Sequence, residues 1–457
     1  MRISRVAVRA FRSLYDVELR PRPFTVLIGP NNAGKTTLAD ALDFLADVHR
    51  HGVETAVARK GGYENIAHRR MRRTKQAISF DCEVELGYQE VSGLQAAFVQ
   101  TFTELGQGSR AEATRVLRER TPRLRIRHRF ELRAAQRLGS DFSVRHEELT
   151  VDGMEGEGPW TRLLAVTRAD EEIQVVTPLL PDPEVIGDDV PRSEITLTDM
   201  LWRSAVAPWP DASFTSYVVE NLSTTNLLIQ QIAFFNQLIR HVQRTLAAGR
   251  VYQLVPLECR RPGVPTPNPE LERHGYNLPA LVRHMQAFDK DAWERVFQSM
   301  QRIVPSLNDI GTNFSDDRRL TLFFQEEGVG KAWNSEEISD GTIQSLAMFS
   351  ALFDTRSPFT VIEEPENSVH PWILRVFVDA CRETAKQVVI TTHSPAVINY
   401  LRPEEITVVW REGGRTNVAA LIDLDPAAES MWESGDSTIF EIIDSGWLPQ
   451  TVPEAYR

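Results

Sequence analysis

The chain has 457 residues, 42% of them hydrophobic, and a formal net charge of −12 at pH 7. Its length exceeds that of one ordinary domain, and its charge excludes a uniformly basic, DNA-coating surface. No stretch reaches the roughly 18 uncharged apolar residues that a membrane helix needs, and the start lacks the apolar core of a secretory signal, so we expect a cytoplasmic protein without membrane contact.

The chain begins with strands that lead into a glycine-containing loop. Apolar residues alternate in "ISRVAVRAF" and "YDVELRP", and "FTVLIG" is a continuous apolar run typical of a buried strand. The next residues, "GPNNAGKT" from Gly29 to Thr36, fit the pattern GxxxxGK[ST]. A helix is predicted from about Lys35 to His49, so the loop lies between a strand and a helix, as this motif requires.

This loop predicts a nucleotide phosphate site. Its glycines let backbone N–H groups surround the phosphates at a helix N-terminus. Lys35 supplies a positive charge to the β- and γ-phosphates, and the Thr36 hydroxyl is placed to bind Mg²⁺. A chance glycine turn is the alternative. The predicted nucleotide-binding residues of the loop are Gly29, Asn31, Asn32, Gly34, Lys35, Thr36 and Thr37.

Four further alternating runs predict an antiparallel sheet: "AISFDCEVEL", "RLRIRHRFELR", "FSVRHEELTV" and "EEIQVV". In the second run, alternation on a strand places four guanidinium groups on one face. Clustered arginines can bind phosphate backbones, which makes DNA contact one interpretation; the other is an exposed face paired with the abundant Asp and Glu. The four residues are Arg123, Arg125, Arg127 and Arg129, and "RRMRRTK" from Arg69 to Lys75 is a second basic run.

The pattern then changes from sheet to helix. Residues from about Asp182 to Pro210 are rich in Pro and Asp and are predicted to be a loop or linker. Apolar residues recur at helical spacing in "NLLIQQIAFFNQLIRHVQRTL" and again in "NLPALVRHMQAFDKDAWERVFQSMQRIV".

Polar residues follow short apolar segments near the C-terminus. In "FTVIEEPENSVHP", Glu363 and Glu364 end a strand, where buried carboxylates are costly unless a metal ion and a water use them. Glu363 is predicted to hold Mg²⁺ through water and Glu364 to orient or deprotonate the attacking water. The alternative is a solvated strand end before the turn at Pro365.

The segment "QVVITTHSP" predicts a second strand of this kind, with His393 at its tip. There the histidine could hydrogen-bond a γ-phosphate, or it could be a surface residue before Pro395.

A polar turn precedes the strongly apolar helix predicted after residue 340. Ser339, Asp340 and Gly341 have the arrangement of a helix N-cap. Helix capping alone explains them, while the functional interpretation is that the Ser339 hydroxyl and the helix N-terminus face a γ-phosphate held by another subunit.

In this order, the glycine loop, the SDGT turn, the paired glutamates and "TTHS" resemble the ABC-type ATPases of the AAA family, in the OLD and RecF-like group. Further segments carry the same resemblance: "FRSL" at 11–14, "GGYENIAHR" at 61–69, "HGYNLPALVRHM" at 274–285 and "STIFEIIDSGWLP" near the C-terminus. The resemblance implies an α/β ABC-type P-loop ATPase head, with a RecA-like mixed sheet, an antiparallel β subdomain and a helical insertion. It implies an N-terminal lobe at 1–180, the insertion at 181–310 and a C-terminal lobe at 311–457.

The resemblance also implies roles for single residues. The "ISDGT" turn is similar to the signature loop, so Ser339 and Gly341 are expected to contact nucleotide. Glu363 and Glu364 are similar to the Walker B pair, although the family more often has Asp at the first position. His393 corresponds to the switch histidine, and Arg12 is similar to the basic residue that reaches the nucleotide in related heads.

In ATPases of this type two heads enclose ATP and Mg²⁺ between them, so the expected partner is a second copy of the chain. Only about 60 residues follow "TTHS", too few for the TOPRIM nuclease domain of OLD proteins, so a nuclease or toxin effector is expected to be a separate polypeptide. Three functions stay open: an ATP-hydrolysing switch in DNA-linked phage defence, an ATP-gated scaffold that sequesters a partner protein, and a RecF-like DNA repair factor.

Overall fold

The computed structural model describes residues 1–68, 76–137, 140–169, 172–176, 198, 201–202, 205, 225–435, 438–444 and 448–452. The basic run at 69–75 and most of the predicted linker at 182–210 lie outside the described residues. The chain divides into two compact units, each built from two segments. The first unit contains Met1–Arg20 and Phe44–Ala247, and the second contains Pro21–Asp43 and Ala248–Arg457.

An antiparallel sheet forms the frame of the first unit, as the alternating runs predict. Over the described residues it has seven strands in the order β2-β1-β4-β5-β6-β7-β8, and every neighbouring pair is antiparallel. The strands are β1 (Arg2–Phe11), β2 (Leu14–Leu19), β4 (Ile78–Gly87), β5 (Arg123–Arg137), β6 (Ser140–Met154), β7 (Thr161–Ala169) and β8 (Glu172–Val176).

Helices accompany this sheet, and aromatic side chains fill its core. Phe80 stacks on Phe130 with ring centroids 5.4 Å apart, and Phe11 and Phe44 pack on Phe80 at similar distances. Such ring pairs add to the free energy gained from burying their apolar area. The helices are α1 (Lys35–His51), which begins in the second unit, α2 (Val53–Arg59), α3 (Tyr63–Ile66), α4 (Ser92–Glu104), α5 (Arg110–Arg120), α6 (Leu228–Phe235) and α7 (Gln237–Ala247).

A mixed sheet forms the centre of the second unit. Its described strands follow the order β16-β15-β3-β14-β13-β9, parallel from β15 to β9, with β16 antiparallel at one edge. Strands β3, β13 and β14 are buried along their whole length, which explains their continuous apolar sequences. The bounds are β3 (Phe24–Ile28), β9 (Arg250–Tyr252), β13 (Phe359–Glu363), β14 (Gln387–Thr391), β15 (Ile406–Glu412) and β16 (Arg415–Ala420).

A small antiparallel sheet and further helices complete the second unit. The sheet contains β10 (Leu307–Phe314), β11 (Leu320–Glu326) and β12 (Trp333–Asn334). Three-residue 3₁₀ turns begin at Tyr88 in the first unit and at Pro403 and Pro449 in the second. The helices are α8 (Pro256–Arg260), α9 (Leu278–Phe288), α10 (Lys290–Ile303), α11 (Asp340–Phe353), α12 (Pro371–Glu383), α13 (Pro395–Ile398), α14 (Leu421–Leu424), α15 (Ala428–Ser434) and α16 (Ile439–Asp444).

The predicted mixed α/β architecture with an antiparallel subdomain is therefore confirmed. The helix predicted after the glycine loop begins at Lys35 and continues two residues beyond the predicted end, to His51. Both segments with helical periodicity are helical, and each contains two helices. Among the described residues, no helix combines the length and apolar character needed to cross a membrane.

Candidate functional site

The candidate site lies at the C-terminal ends of the parallel strands of the mixed sheet in the second unit. Strand β14 is parallel to both β3 and β13, and Thr391 is in register with Leu27 on one side and Glu363 on the other. The glycine loop follows Leu27 by two residues, and His393 follows Thr391 by two. Because parallel strands end at the same edge, this register brings the loop, the paired glutamates and the "TTHS" segment together.

A hairpin of β15 and β16 packs directly against the glycine loop. A Cβ atom on Gly29 would lie 1.9 Å from the Val409 carbonyl oxygen, and one on Gly34 would lie 2.5 Å from Thr416 Oγ1. Both glycines also have positive φ, 150° and 116°. They are needed for close backbone approach within the unit as well as for room around phosphates. The Thr416 hydroxyl donates to the Ala33 carbonyl at 2.9 Å and holds the loop from behind.

The glycine loop and the first turn of α1 carry the residues that are predicted to bind phosphate. Asn31 and Asn32 are exposed, and Asn32 has a φ of 63°, which asparagine tolerates better than most residues. The mostly buried Lys35 ammonium donates to the carbonyl oxygens of Gly29 at 2.6 Å and Pro30 at 3.2 Å, so it lies at the mouth of the loop. Thr37 is half-buried on the first turn of the helix.

Lysine 35 is electrostatically coupled to the acidic residues of the neighbouring strand end. Burial lowers the pKa of Lys35 below its ordinary value, while the charges of Glu364 and Glu366 act to raise it. The Lys35 ammonium and these two carboxylates therefore interact electrostatically, and a bound phosphate would add further negative charge near Lys35.

Glu363 is the most buried carboxylate of the site, and it contacts the glycine loop. Its side chain is 2% exposed and accepts a hydrogen bond from Arg273 Nη2 at 2.7 Å, and it lies close enough to the Thr36 hydroxyl for that group to lower its pKa. Burial raises the pKa of Glu363, while the charge of Arg273 and the Thr36 hydroxyl act in the opposite direction. The structure thus brings together the two residues that the sequence assigned to Mg²⁺.

The donor set at this point fits Mg²⁺ bound together with a nucleotide. A hydroxyl and a carboxylate are the hard oxygen donors that Mg²⁺ prefers. Among the described residues there is no group of three or more His, Cys, Asp or Glu side chains that could hold a metal by itself. Thr36 and Glu363 would therefore need phosphate oxygens to complete the coordination.

Glu364 faces a different environment from Glu363. Its N–H extends the sheet ladder by bonding the Thr391 carbonyl at 2.8 Å, and its φ of 46° then turns the chain sharply. As a result its side chain is 35% exposed and accepts from Asn367 Nδ2 at 3.1 Å. Left-handed backbone at a non-glycine residue is costly and is concentrated at functional sites. The two adjacent glutamates are thus separated into a buried and an accessible carboxylate.

Glu366 links the loop after β13 to the loop after β14. Its Oε1 accepts from the Thr392 hydroxyl at 2.7 Å and from the His393 N–H at 3.2 Å. His393 Nδ1 lies 3.6 Å from both Glu364 Oε1 and Glu366 Oε1. The structure therefore places the predicted switch histidine beside the predicted base, and Glu366 fixes the backbone that carries it.

The predicted signature turn caps α11 at the protein surface. Ser339 Oγ accepts from the Thr342 N–H at 3.1 Å, so the helix-cap interpretation is confirmed as a structural role. Ser339 and Asp340 are exposed, although the helix is buried from Ile343 onward. A Cβ on Gly341 would lie 3.1 Å from the Ser368 carbonyl oxygen, so the turn packs on the loop that follows the paired glutamates. The role of Ser339 and Gly341 toward another subunit stays a prediction.

Arg260, at the end of α8, stabilises the turn at Ser339. It donates to the carbonyl oxygens of Ser335 at 2.9 Å and Ile338 at 2.6 Å, and it forms an ion pair with Asp340. Because a largely buried guanidinium fixes both the backbone and the first acidic residue of the turn, we infer that Arg260 is a positioning residue for it.

The arginine row of β5 belongs to the first unit, and each member has a carboxylate partner. Its side chains alternate with buried Leu124, Ile126, His128 and Phe130, so the predicted common face is confirmed. The partners come mainly from β4, the neighbouring strand, and this pairing supports the interpretation of an exposed, charge-paired face. DNA contact stays a prediction. The pairs are Arg123 with Glu85, Arg125 with Glu83 and Glu85, Arg127 with Asp81, and Arg129 with Glu131.

Arg12 also belongs to the first unit, at the turn between β1 and β2. Its N–H donates to the Ile66 carbonyl at 2.8 Å, and its guanidinium lies 5.7 Å from the Phe11 ring centroid. The predicted contact of Arg12 with nucleotide stays a prediction.

Sequence reasoning missed four residues that hold the site together. Glu366 had a signal, because it follows the paired glutamates in "EEPEN". The other three are single residues in unremarkable segments, and their contacts with the site depend on tertiary structure. They are Arg260, Arg273 and Thr416.

Two segments of the chain match models of AAA-type ATPase domains. Residues 1–105 match a model described as "AAA ATPase domain". Residues 247–399 match one described as "AAA domain, putative AbiEii toxin, Type IV TA system". The glycine loop lies in the first segment, and the signature turn, the paired glutamates and His393 lie in the second. The two segments that match AAA-type ATPase domain models thus lie on either side of residues 106–246. Among curated proteins, none matches it.

Solved structures of SMC head domains are also similar to this chain. An SMC head bound to the C-terminal winged-helix domain of ScpA has 12% identity and a TM-score of 0.42, covering 92% of this chain and 98% of the other. An SMC head with an extended coiled coil, bound to the C-terminal domain of ScpA from Pyrococcus furiosus, has 12% identity and a TM-score of 0.37, covering 95% and 99%. The SMC head from Thermotoga maritima has 9% identity and a TM-score of 0.34, covering 92% and 99%.

Proposed function

We propose that this chain, which carries AAA-type ATPase domain sequence, binds ATP with Mg²⁺ at the glycine loop and hydrolyses it. The observation that carries the proposal is the proximity of Thr36 to Glu363, residues 327 positions apart, where the register of the parallel strands also brings Lys35. A hydroxyl on a helix N-terminus, a buried carboxylate and an ammonium within one site are the groups that a magnesium nucleotide requires.

Each residue of the site has a proposed task. The loop N–H groups and the N-terminus of α1 bind the phosphates, and Lys35 exchanges its two carbonyl partners for phosphate oxygens. Mg²⁺, held by Thr36 and through water by Glu363, would offset the charge on the β- and γ-phosphates. Glu364 is the accessible carboxylate, and it accepts a proton from the attacking water. His393 stands next to it and hydrogen-bonds the γ-phosphate.

A second copy of the chain completes the site in this proposal. The Ser339 turn is exposed and rigidly held by Arg260, so its free N–H groups can face a phosphate bound by a partner. Contacts that form only when two chains enclose ATP would shift the equilibrium between single and paired chains toward the pair. ATP hydrolysis would remove these contacts and let the chains separate. ATP would thereby act as a switch on self-association.

The biological role that we propose for this switch is phage defence with a separate nuclease or toxin effector, in a DNA-linked process. Support comes from the description of the model matched by residues 247–399, which names the AbiEii toxin and a Type IV toxin–antitoxin system. A scaffold that binds ATP without hydrolysing it, or a RecF-like repair factor, would use the same site. ATP turnover separates the scaffold from the switch.

The test compares the wild-type chain with Glu364→Gln, which removes the proposed base and keeps the size of the side chain. We expect wild-type turnover of ATP to require Mg²⁺ and to fall about 100-fold or more in the variant, because a general base contributes at least that much. We also expect the variant to bind ATP and to accumulate ATP-dependent dimers in analytical ultracentrifugation.

Glu383→Gln, at an exposed glutamate at the end of α12, is the matched control and should leave turnover unchanged. Equal turnover of wild type and Glu364→Gln would contradict the assignment of the base. A wild-type chain that binds ATP but shows no turnover would favour the scaffold.

A further inference from the structure

The hairpin of β15 and β16 carries an arginine whose guanidinium has no partner. Arg411 lies near the end of β15 and is partly buried, yet it forms no hydrogen bond, ion pair or ring contact with any residue that the structure describes. A guanidinium partly removed from water normally donates to an acceptor, so Arg411 has donors to offer to a ligand. The other partly buried arginines in the described part of the second unit all have carboxylate partners. They are Arg250, Arg260, Arg273, Arg356 and Arg382.

Arg411 shares a face of the hairpin with Thr416, the residue that holds the glycine loop. The two residues are directly opposite each other in the antiparallel register of β15 and β16, and opposite residues of neighbouring strands lie on the same face. The Thr416 hydroxyl bonds the Ala33 carbonyl, and a Cβ on Gly34 would meet the same hydroxyl. The loop therefore packs on the face of the hairpin from which the Arg411 side chain projects.

Strand β15 also extends past the strand that leads into the loop. Val408 is in register with Ile28, the last residue of β3, and Arg411 lies three residues farther along β15. At about 3.3 Å per residue, Arg411 is roughly 10 Å beyond the end of β3. Since β15 and β3 are parallel, Arg411 lies at the edge of the sheet where the phosphates are proposed to bind.

The order of the strands places Arg411 on the side of the loop that is remote from the acidic residues. Strands β15 and β14 flank β3, and β13 lies beyond β14. Glu364 and His393, which follow β13 and β14, are proposed to act on the γ-phosphate. A phosphate chain with its γ end on that side of the loop has its α end toward β15. The planar guanidinium of arginine matches the oxygens of a phosphate.

We propose that Arg411 binds the α-phosphate of the nucleotide. This inference rests on the proposed function, because it adds a binding residue to that same site. Lys35 and Arg411 then supply positive charge to the two ends of the phosphate chain. Because ATP and ADP both have an α-phosphate, Arg411 contributes equally to binding of substrate and product, and it does not distinguish the state before hydrolysis from the state after it.

The test measures the affinity of the full chain for ADP and for a non-hydrolysable ATP analogue by isothermal titration calorimetry in Mg²⁺. We expect Arg411→Gln to bind both ligands about tenfold more weakly, by the same factor, because one charge-assisted contact is lost. Arg411→Lys keeps the charge without the planar fork and should show a smaller loss. The matched control is Arg415→Gln, at an exposed arginine on the opposite face of the same hairpin, and it should keep both affinities.

Urea unfolding of Arg411→Gln should match that of wild type, since the substitution removes no contact with the described residues. A variant that unfolds at clearly lower urea, or that does not fold, would show that Arg411 has a structural role and would overturn the inference.

Three binding results would also overturn the inference. They are unchanged affinities in Arg411→Gln, a loss confined to the ATP analogue, which would place Arg411 at the γ-phosphate, and an equal loss in Arg415→Gln, which would indicate general attraction by the hairpin. Failure of the proposed function is distinguishable, because a wild-type chain that binds neither ligand would refute the nucleotide site together with this inference.

Discussion

Arginines in the first unit form a regular row along one strand, whereas the arginines that organise the second unit stand alone in the sequence. Along β5, residues 123, 125, 127 and 129 meet carboxylates that are mainly on the adjacent strand. In the second unit, Arg260 bonds the backbone below the Ser339 turn, and Arg273 joins Asp40 to Glu363. The regular row is the more conspicuous pattern, and the isolated pair is the one that contacts the candidate site.

The difference shows what a repeated charge pattern can and cannot indicate. Alternation on a strand fixes which face the side chains share, and that part of the prediction is confirmed. Whether such a face binds phosphate depends on its partners, and here the neighbouring strand supplies Asp81 and Glu85. Substitutions in the two units should therefore differ in their effects, from the largest at Lys35 to the smallest at Arg127.

Replacement of Lys35 by alanine should greatly weaken nucleotide binding in the second unit. The ammonium lies at the mouth of the loop, and charge-assisted hydrogen bonds to phosphate contribute roughly 2 to 3 kcal/mol, which corresponds to about a 100-fold loss of ATP affinity. A fluorescent ATP analogue in Mg²⁺ measures the affinity. Lys331→Ala, at an exposed lysine of the same unit, serves as control, and unchanged affinity in Lys35→Ala would refute the loop assignment.

Replacement of Arg260 by glutamine should weaken ATP-dependent pairing of chains and spare ATP binding by the single chain. The variant loses the ion pair to Asp340 and the guanidinium hydrogen bonds to the carbonyl oxygens of Ser335 and Ile338. We therefore expect pairing to weaken by roughly tenfold, or about 1.4 kcal/mol. Pairing is measured by analytical ultracentrifugation, in the presence of ATP, of each arginine variant combined with Glu364→Gln. The neighbouring Arg261, exposed and paired with Glu258, provides the control Arg261→Gln; equal pairing in both variants would contradict the role of Arg260.

Low pH should destabilise the first unit because His49 is buried there, with its ring centroid 5.3 Å from that of His128. Burial lowers the pKa of His49 to about 3, and the charge of His128 adds to the shift. Below the ordinary histidine pKa of about 6.5 the unfolded chain binds a proton that the folded chain does not, so stability is present above pH 6.5 and falls as the pH decreases.

The slope from this group is at most about 1.4 kcal/mol per pH unit between pH 6.5 and 3. Urea unfolding at several pH values should therefore show a shallower decline for His49→Asn than for wild type. His51→Asn, at an exposed position of the same helix, should keep the wild-type slope, and parallel curves for all three proteins would show that His49 titrates normally.

Replacement of Arg127 by glutamine should have the smallest effect. Its side chain is 36% exposed and paired with Asp81, and partly exposed ion pairs contribute about 1 kcal/mol or less to the free energy of unfolding. ATP affinity should not change. If the row instead binds DNA, the same variant will bind DNA less tightly with a shallower dependence on salt, which a fluorescence anisotropy titration at several salt concentrations would detect.

Several elements of the site could be predicted from sequence because they depend on neighbouring residues. A strand, a glycine loop and a helix follow one another between Phe24 and His51, and the pattern is local. The acidic strand end and the strand before His393 were recognised for the same reason. Glu366 was missed although it lies three residues beyond Glu363, because its role depends on a bond to Thr392.

Other contacts could not be predicted, because no local pattern encodes them. Thr416 lies 383 residues from Ala33, whose carbonyl it binds, and β16 gives no sign of contact with a phosphate loop. The glycine positions were predicted for room around phosphates, yet Val409 and Thr416 show that the chain itself comes close to them. The prediction for Gly29 and Gly34 thus left out one physical cause, the close approach of the hairpin formed by β15 and β16.

The sequence by itself determined the strand, the glycine loop and the helix in which phosphate binding is predicted, because backbone conformation and helix capping depend on a few adjacent side chains. It also determined which face the β5 arginines share. The tertiary structure alone decided which charges meet, since burial and strand order bring Arg273 to Glu363 and Asp81 to Arg127. Electrostatic energy depends on distance and burial in space, and neither is written in the spacing along the chain.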